Sequence, residues 1–90
     1  MTYEIHPWHS EKCLDVDGHS YASGAKIIQW DCWGGANQHF FLNDVGGGFY
    51  EIRAQHSNKC LDVWGISQAS GADLIQWDCW GGPNQHFRLA

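Results

Sequence analysis

The chain has 90 residues and a formal net charge of −5, from 10 acidic and 5 basic side chains. The charge is modest and spread along the chain, which argues against nucleic-acid binding and against an anionic-membrane surface. No apolar run approaches the length that spans a bilayer, and the first residues carry no apolar leader segment. We therefore expect a soluble chain that was trimmed or made without a signal, with no membrane insertion.

The first half of the chain predicts four short strands. Residues 3–8 alternate loosely between apolar and polar side chains and are predicted to start the first strand, and 13–16 form the second. After a polar, glycine-containing loop, the β-branched and aromatic run 27–30 gives the third strand, and 38–42 gives the fourth. No apolar stripe of helical period and useful length is present, so the sequence predicts an all-β fold.

The second half repeats the first without a gap. Sliding the chain by 47 residues aligns Tyr3 with Tyr50, and about two-thirds of the aligned positions are identical. We therefore predict two four-stranded repeat units joined by a linker: unit 1 over 1–43, the linker over 44–47 and unit 2 over 48–90. The strands of unit 2 are predicted near 49–54, 60–63, 74–77 and 85–89.

The four cysteines form two equivalent pairs, Cys13 with Cys32 and Cys60 with Cys79. An even number, a small chain and identical spacing favour two disulfides, one in each unit, which would stabilise the fold by roughly 3 kcal/mol each. The zinc alternative has no Cys-x-x-Cys or His-x₃-His spacing to support it, so no metal and no cofactor is expected. Reduced cysteines would be small core residues instead. Disulfides imply an oxidising compartment and a secreted or extracellular protein.

Each unit resembles the ricin-type β-trefoil lectin repeat, a carbohydrate-binding module attached to many toxins and glycosidases. The resemblance covers nearly the whole chain and rests on four features in a fixed order. These are Cys-Leu-Asp-Val, an aromatic residue just before the second cysteine, Gly-Gly-x-Asn-Gln, and a closing Gln-x-aromatic at 38–40 and 85–87. It implies a fold of β-trefoil repeats and a lectin function.

The resemblance also implies roles for five positions in each unit. The aspartate looks like the acceptor of two sugar hydroxyls, the first tryptophan like the plate under the pyranose ring, and the asparagine like the amide that completes the hydrogen bonds. The second tryptophan is either a wall of the site or a packing residue, and the glutamine is more typical of a structural support. The predicted sugar-binding residues are Asp15, Trp30, Trp33, Asn37, Gln38, Asp62, Trp77, Trp80, Asn84 and Gln85.

The physical chemistry of sugars agrees with this set. A sugar presents hydroxyl groups and an apolar C–H face, so a binder needs an aromatic plate and a few fixed donors and acceptors. The resemblance implies terminal galactose or N-acetylgalactosamine as the ligand, bound weakly at each site and more strongly by several sites together. Many related repeats carry glutamine where this chain has Ile28 and Ile75, which removes one hydrogen bond to the sugar.

Simpler explanations exist for the same residues. The aspartates could bond a turn, and the tryptophans could belong to the core, as we expect for Phe40 and Phe87. The recurring histidines are better explained as satisfied turn or strand residues than as metal or pH-sensing groups: His9, His56, His39 and His86.

Two other functions are compatible with parts of the sequence. A glycosidase needs two carboxylates in unlike environments, and Asp15, Asp31 and Glu51 are candidates. However, each has a copy in the other unit, and equal duplicated sites favour binding, so we do not expect an enzyme. The remaining alternative is an engineered or truncated β-trefoil repeat scaffold that serves self-assembly or protein interaction, with weak or no sugar binding.

A β-trefoil closes with three units, whereas this chain supplies two. The chain is then either a piece of a longer protein or completed by other copies of itself. Three chains carry six units, enough for two closed trefoils if one chain places its units in different trefoils, with Gly46–Gly47–Gly48 as the hinge. A dimer would leave one unit over or demand a barrel other than a trefoil, so the homo-oligomer that we favour is a homotrimer.

Overall fold

The structure is a computed structural model that describes residues 1–89, so Ala90 of the predicted unit 2 lies outside the described residues. In that part it contains seven strands: β1 Cys13–Val16, β2 Ile27–Trp30, β3 Phe40–Gly46, β4 Phe49–Ala54, β5 Cys60–Val63, β6 Leu74–Trp77 and β7 His86–Arg88. Four single 3₁₀ turns lie between them: Asp17–His19, Ala36–Gln38, Trp64–Ile66 and Pro83–Gln85. The all-β prediction is confirmed. Within residues 1–89, no helix has both the length and the apolar character that crossing a bilayer requires.

The two units build the same antiparallel hairpin. Cys13 pairs with Trp30 across β1 and β2, and Cys60 pairs with Trp77 across β5 and β6, so the two ladders have one register. The predicted disulfides are confirmed, Cys13–Cys32 and Cys60–Cys79, each with its Cα atoms 5.2 Å apart. Each disulfide therefore fixes the end of the hairpin that carries Trp30 or Trp77.

The predicted linker lies in a β-hairpin. Residues 44–46 continue β3 opposite β4, with a break in register between Asp44 and Gly46. Gly46, Gly47 and Gly48 have φ values of 92°, 64° and 82°, a conformation that glycine adopts at little cost. β4 follows directly and pairs with β3, β5 and β7. The division of the chain at 44–47 into two units stays a prediction.

The predicted strand over residues 3–8 does not form. Tyr3 makes one isolated bridge with Phe40, and the carbonyl oxygen of Ile5 accepts from the Leu14 N–H at 2.9 Å. The chain then turns at Pro7, which has no N–H to donate, and Trp8 is 94% exposed. The aligned segment of unit 2 becomes β4 because strands lie along both of its edges. The other boundaries shift by a few residues, and the predicted start of the fourth strand, Gln38, lies in a 3₁₀ turn.

A small apolar core lies between the hairpins. Its buried side chains belong to Val16, Phe40, Ile52, Ala54 and Leu61, and the partly buried Phe87 packs against them. The expected core role of Phe40 is confirmed. Three glutamines, Gln38, Gln76 and Gln85, are as completely buried as Phe40. Buried amides must be hydrogen-bonded, so these glutamines mark organised polar contacts.

One of those contacts joins the two units. The Nε2 of Gln76 donates to the carbonyl oxygens of Ser20 and Ala22 at 2.8 and 2.7 Å. The backbone of Gln76 also exchanges hydrogen bonds with the same loop, accepting from the Gly24 N–H at 2.8 Å and donating to the Ala25 oxygen at 2.9 Å. The loop over 20–26 of unit 1 therefore covers the open edge of β6 in unit 2.

The equivalent edge of unit 1 is uncovered within residues 1–89. Gln29, which aligns with Gln76, is exposed, and its Oε1 accepts from the Ser10 hydroxyl at 2.9 Å. The loop over 67–73 aligns with 20–26 and is mostly exposed. The two units are therefore alike in hairpin geometry and different in surroundings.

Candidate functional site

A cavity of about 310 Å³ opens on the β1–β2 hairpin of unit 1, and we call it site 1. Four of the five residues predicted for this unit line it: Asp15, Trp30, Trp33 and Asn37. β1 supplies the aspartate and β2 the first tryptophan, while the Gly-Gly segment and the turn after it supply the other two. Ile28 pairs with Asp15 across the ladder and completes the floor.

Unit 2 carries the aligned cavity, site 2, with a volume of about 270 Å³. It is lined by the aligned four residues, Asp62, Trp77, Trp80 and Asn84. Strand register explains the correspondence, because a one-residue slip in either hairpin would turn the aspartate to the opposite face.

The fifth predicted residue of each unit lies behind the cavity. The Nε2 of Gln38 donates to Asp15 Oδ2 at 2.8 Å and to the Asp31 carbonyl oxygen at 2.9 Å. Its Oε1 accepts from the Trp33 N–H at 3.0 Å. Gln85 makes the same three bonds in unit 2 at the same distances. The glutamine thus connects the aspartate to the loop that carries the second tryptophan.

The two aspartates are unusual because they are carboxylates that are almost fully buried. Asp15 and Asp62 each expose 4% of their surface. Burial of a charge is costly unless it is hydrogen-bonded, and the glutamine supplies one bond to Oδ2. Among the described residues no side chain donates to Oδ1 of either carboxylate, so that atom can accept from another donor.

The asparagines are held by one bond each. The Nδ2 atoms of Asn37 and Asn84 donate to the carbonyl oxygens of Val16 and Val63, both at 3.2 Å. Their Oδ1 atoms are buried and have no hydrogen-bond partner within residues 1–89. A buried acceptor without a partner costs about 1–3 kcal/mol, and a hydrogen bond donated to it would remove that cost.

The indoles form the walls. Trp30 exposes 58% of its surface and Trp77 exposes 37%, so neither belongs to the core. The indole of Trp33 lies over Gly35, so closely that a methyl group on that glycine would overlap the ring. Glycine at this position therefore lets the indole lie against the backbone, and Gly82 does the same for its tryptophan in unit 2.

The rims of the two cavities differ, and the sequence reasoning did not assign these rim residues. Asp17 and His19 line site 1, whereas Trp64 and Ile66 occupy the aligned positions in site 2. Trp64 meets Trp77 edge to face, with ring centroids 6.0 Å apart. The sequence feature that could have identified them is the alignment of the two units, in which these two positions differ while the residues next to them are identical.

The other candidate carboxylates lie in different settings. Asp31 is exposed and bonded to the Lys12 ammonium at 2.8 Å, a hydrogen bond that lowers its pKa. Glu51 lies on β4, where the hydrogen bond from Arg53 at 2.6 Å lowers its pKa. A general acid in a glycosidase needs a raised pKa, and the pKa shifts of these two groups have the opposite sign.

Two groups of potential metal ligands involve cysteine. His6 lies beside Cys13 and Cys32, and Glu51 lies beside the other cysteine pair. Both pairs are disulfides, and a disulfide sulfur lacks the thiolate charge that binds zinc. Neither group is therefore a convincing metal centre.

Comparison with known proteins identifies the family. The sequence model described as "Ricin-type beta-trefoil lectin domain-like" matches residues 1–77 and 48–90. The designed three-fold symmetric protein ThreeFoil superposes with a TM-score of 0.97 at 44% identity, over 98% of this chain and 63% of that one. 1,3Gal43A, an exo-β-1,3-galactanase from Clostridium thermocellum, gives 0.95 at 38% identity, over 98% of this chain and 19% of the enzyme.

A third similar structure is the hemolytic lectin CEL-III, with a TM-score of 0.82 at 30% identity, over 97% of this chain and 20% of the lectin. The chain thus spans less than two-thirds of each of these three proteins. The predicted resemblance is confirmed by the match of the family model over most of the sequence. The chain belongs to the ricin-type β-trefoil lectin family, and its fold is that of β-trefoil repeats.

Proposed function

We propose that this protein binds terminal galactose or N-acetylgalactosamine, with one shallow site in each unit and without catalysis. The observation that carries the proposal is a buried carboxylate, fixed by a buried glutamine, beneath a cavity that two indoles wall. A fixed carboxylate can accept from two neighbouring sugar hydroxyls, and charge-assisted bonds of this kind are about twice as strong as neutral ones.

The remaining groups fit the same ligand. The exposed indole of Trp30 or Trp77 offers a flat apolar face to the C–H face of a pyranose. The free Oδ1 of Asn37 or Asn84 would accept from a further hydroxyl. Open cavities of this size support weak binding, with a free energy of about −4 kcal/mol at a millimolar Kd.

The choice of galactose rests on chemistry and on one relative. Galactose has an axial 4-hydroxyl that leaves one broad C–H face for stacking, while its neighbouring 3-hydroxyl can share the carboxylate. The galactanase that is 38% identical over this chain acts on a galactose polymer, as its name states. Ile28 and Ile75 lie where glutamine would add a hydrogen bond, which is consistent with weak individual sites.

Titration with galactose, followed by tryptophan fluorescence, tests the proposal. We expect a saturable change with galactose and a much weaker one with glucose, which differs only at the 4-hydroxyl. The Asp15→Ala and Asp62→Ala single variants should each lose about half of the binding capacity, and the double variant should lose all of it. Asp44→Asn, a carboxylate outside both cavities, is the matched control and should bind normally. An unchanged response in the double variant would reject these sites.

We further propose that the third unit of the trefoil comes from another copy of the chain, or from a further segment where the chain is part of a longer protein. The support is the uncovered edge at Gln29, whose counterpart Gln76 is covered by the loop over 20–26. Among copies of this chain, a homotrimer supplies two complete sets of three units. Sedimentation analysis across concentration should give a trimeric mass, and a compact monomer at every concentration would contradict self-assembly.

Two disulfides support a location in an oxidising compartment, and we propose that the protein is secreted. The similarity to a designed symmetric protein favours, as a second candidate, an engineered or truncated repeat scaffold that assembles without appreciable sugar binding. An oligomeric mass together with no response to galactose would favour the scaffold.

A further inference from the structure

A groove of about 320 Å³ lies between the two units, next to site 2. Unit 1 contributes Ser23 and Lys26 to it, and unit 2 contributes Trp64, Asp73 and Trp77. The two tryptophans also line site 2. The groove and site 2 therefore share an aromatic wall, and a ligand longer than one sugar can extend from one into the other.

We propose that this interunit groove is a second saccharide subsite. It would hold the next residue of a neutral glycan whose terminal galactose occupies site 2, so the inference rests on the proposed function of site 2. Site 2 then selects oligosaccharides, whereas site 1 binds a single terminal sugar.

The shared wall suits two consecutive sugars. Trp64 and Trp77 meet edge to face, with an interplanar angle of 60°, so their faces point in different directions. Trp64 is 56% exposed, which leaves ring surface free for a ligand. Because each pyranose offers its own C–H face, two indole faces can contact two linked rings, as stacking requires.

The rest of the groove supplies polar groups of both signs. Lys26 and Asp73 line it, and neither belongs to an ion pair within residues 1–89. An ammonium donates to hydroxyl oxygens and a carboxylate accepts from hydroxyl protons, so together they match the hydroxyl-rich edge of a neutral sugar. An anionic glycan would gain from one of the two charges and lose from the other.

The groove is held in shape by the contact between the units. Lys26 forms an isolated bridge with Ile75 of β6, and the Gly24 N–H donates to the Gln76 oxygen at 2.8 Å. The loop that carries the ammonium is thereby fixed to the strand that carries Trp77. Such preorganisation reduces the conformational entropy that the protein loses when a glycan binds.

Within residues 1–89, site 1 has no equivalent subsite. The depression beside Trp30 is lined by residues of unit 1, including Lys12 and Gln29, because no loop of the described chain covers that edge. Where another copy covers it, the aligned residues are Asp17 in place of Trp64, Asp73 in place of Lys26 and Lys26 in place of Asp73. That arrangement keeps one ammonium and one carboxylate, but a further carboxylate replaces the second indole.

Single-site variants test the inference. Asp15→Ala leaves site 2 as the binding site, and Asp62→Ala leaves site 1. Each is titrated with galactose, β-1,3-linked galactobiose and lactose by calorimetry. We expect the Asp15→Ala protein to bind at least one disaccharide about tenfold more tightly than galactose, and the Asp62→Ala protein to show less than about a threefold gain.

Variants of Lys26 distinguish binding in the groove from binding at site 2, because Lys26 lines only the groove. In the Asp15→Ala background, Lys26→Ala should remove most of the gain for the disaccharide and leave the affinity for galactose unchanged, while Lys26→Arg should keep the gain. Lys12→Ala, beside Trp30, is the matched control and should have no effect on site 2. Galactose binding at site 2 without a gain for either disaccharide would overturn the subsite alone. Absence of galactose binding at both sites would overturn the proposed function and the subsite with it.

Discussion

At the scale of single residues, the buried glutamine of each unit holds the candidate site together by hydrogen bonds. Gln38 has no exposed surface and uses its amide for three hydrogen bonds, which hold Asp15 and the backbone of Trp33. The sequence predicted a structural role more readily than ligand contact, and the geometry agrees. In the proposed function a sugar would reach the carboxylate and the indole, while the glutamine holds Asp15 and the backbone of Trp33 in place.

Replacing Gln38 by alanine should therefore destabilise the fold and weaken site 1 together. The change leaves a buried carboxylate and a backbone N–H without partners, which we expect to lower the free energy of unfolding by about 2–3 kcal/mol. Urea unfolding measures this loss, and galactose titration in the Asp62→Ala background measures site 1. Gln68→Ala, at an exposed glutamine, is the control and should change neither. Lost galactose binding with unchanged stability would mean that Gln38 contacts the sugar directly.

Replacing the second glycine of a Gly-Gly pair should weaken sugar binding only at the site of the same unit. A methyl group at Gly35 would displace the indole of Trp33, because the ring lies over the glycine. We expect Gly35→Ala to weaken galactose binding at site 1 several-fold and to leave site 2 intact, with Gly82→Ala as the mirror experiment. Titration of each variant in the appropriate single-site background checks this. An equal loss at both sites would indicate a general effect on folding instead.

The residues that line the candidate site could be named because the resemblance to the ricin-type repeat assigned roles to Asp15, Trp30 and Asn37, and the structure brings these three into one cavity. The rim residues were not predictable in the same way. Asp17 and Trp64 interrupt the repeat, and a method that depends on agreement between units passes over positions where they differ. Those positions are where the environments of the two cavities diverge.

At the scale of elements, partners decide which predicted strands form. The sequence Tyr-Glu-Ile occurs twice, at residues 3–5 and at residues 50–52 within β4. Only the second copy forms a strand. β4 has β3 along one edge and β7 along the other, whereas Tyr3 meets Phe40 in one isolated bridge. Sequence propensity thus predicted the strand correctly where a sheet was available to receive it.

The contact between the loop over 20–26 and unit 2 should also be sensitive to pH through His56. This histidine donates through Nε2 to the Ser20 carbonyl oxygen at 2.7 Å and meets the ring of His19 at 4.8 Å. Burial lowers the pKa of His56, the nearby charges of His19 and Lys59 lower it further, and the Ser20 bond and Asp15 oppose them. The folded state then binds a proton less readily than the unfolded state.

The sign of the effect follows from that order of pKa values. Stability from neutral His56 is present above the unfolded pKa near 6.5 and is lost as the pH falls below it. We expect urea midpoints measured from pH 7.5 to pH 5.5 to fall more in the parent protein than in His56→Gln. His6 contributes the opposite slope, because its backbone bond to Glu11 raises its pKa, so the comparison of variants is essential. His9→Gln, at the aligned position of unit 1, is the control, and a slope unchanged by His56→Gln would contradict the prediction.

At the scale of the whole molecule, two hairpins of the same register lie in different surroundings. The identical cysteine spacing was enough to predict the disulfides, and the repeated strand pattern was enough to predict the paired hairpins. The contact between units was not predictable, because Gln29 and Gln76 have the same neighbours in sequence and opposite degrees of burial. Gln76 is buried because the loop over 20–26 of unit 1 covers it, whereas no loop within residues 1–89 covers Gln29.

That difference yields a test of assembly by two matched variants. Gln76 binds the loop over 20–26 inside the chain, so Gln76→Ala should lower the free energy of unfolding at every protein concentration. Gln29 is exposed, so Gln29→Ala should change the unfolding of an isolated chain little. If another copy docks its loop over 67–73 on that edge, however, Gln29→Ala removes the two side-chain bonds that the aligned glutamine makes.

We therefore expect Gln29→Ala to shift the association midpoint to higher protein concentration, by tenfold or more for the loss of two hydrogen bonds of about 1 kcal/mol each. Sedimentation velocity over a concentration series measures the shift, with Gln68→Ala as a control that leaves it unchanged. An association midpoint that Gln29→Ala leaves unchanged would contradict the proposed docking. In that docking the side chain of Gln29 makes the two hydrogen bonds that Gln76 makes within the chain.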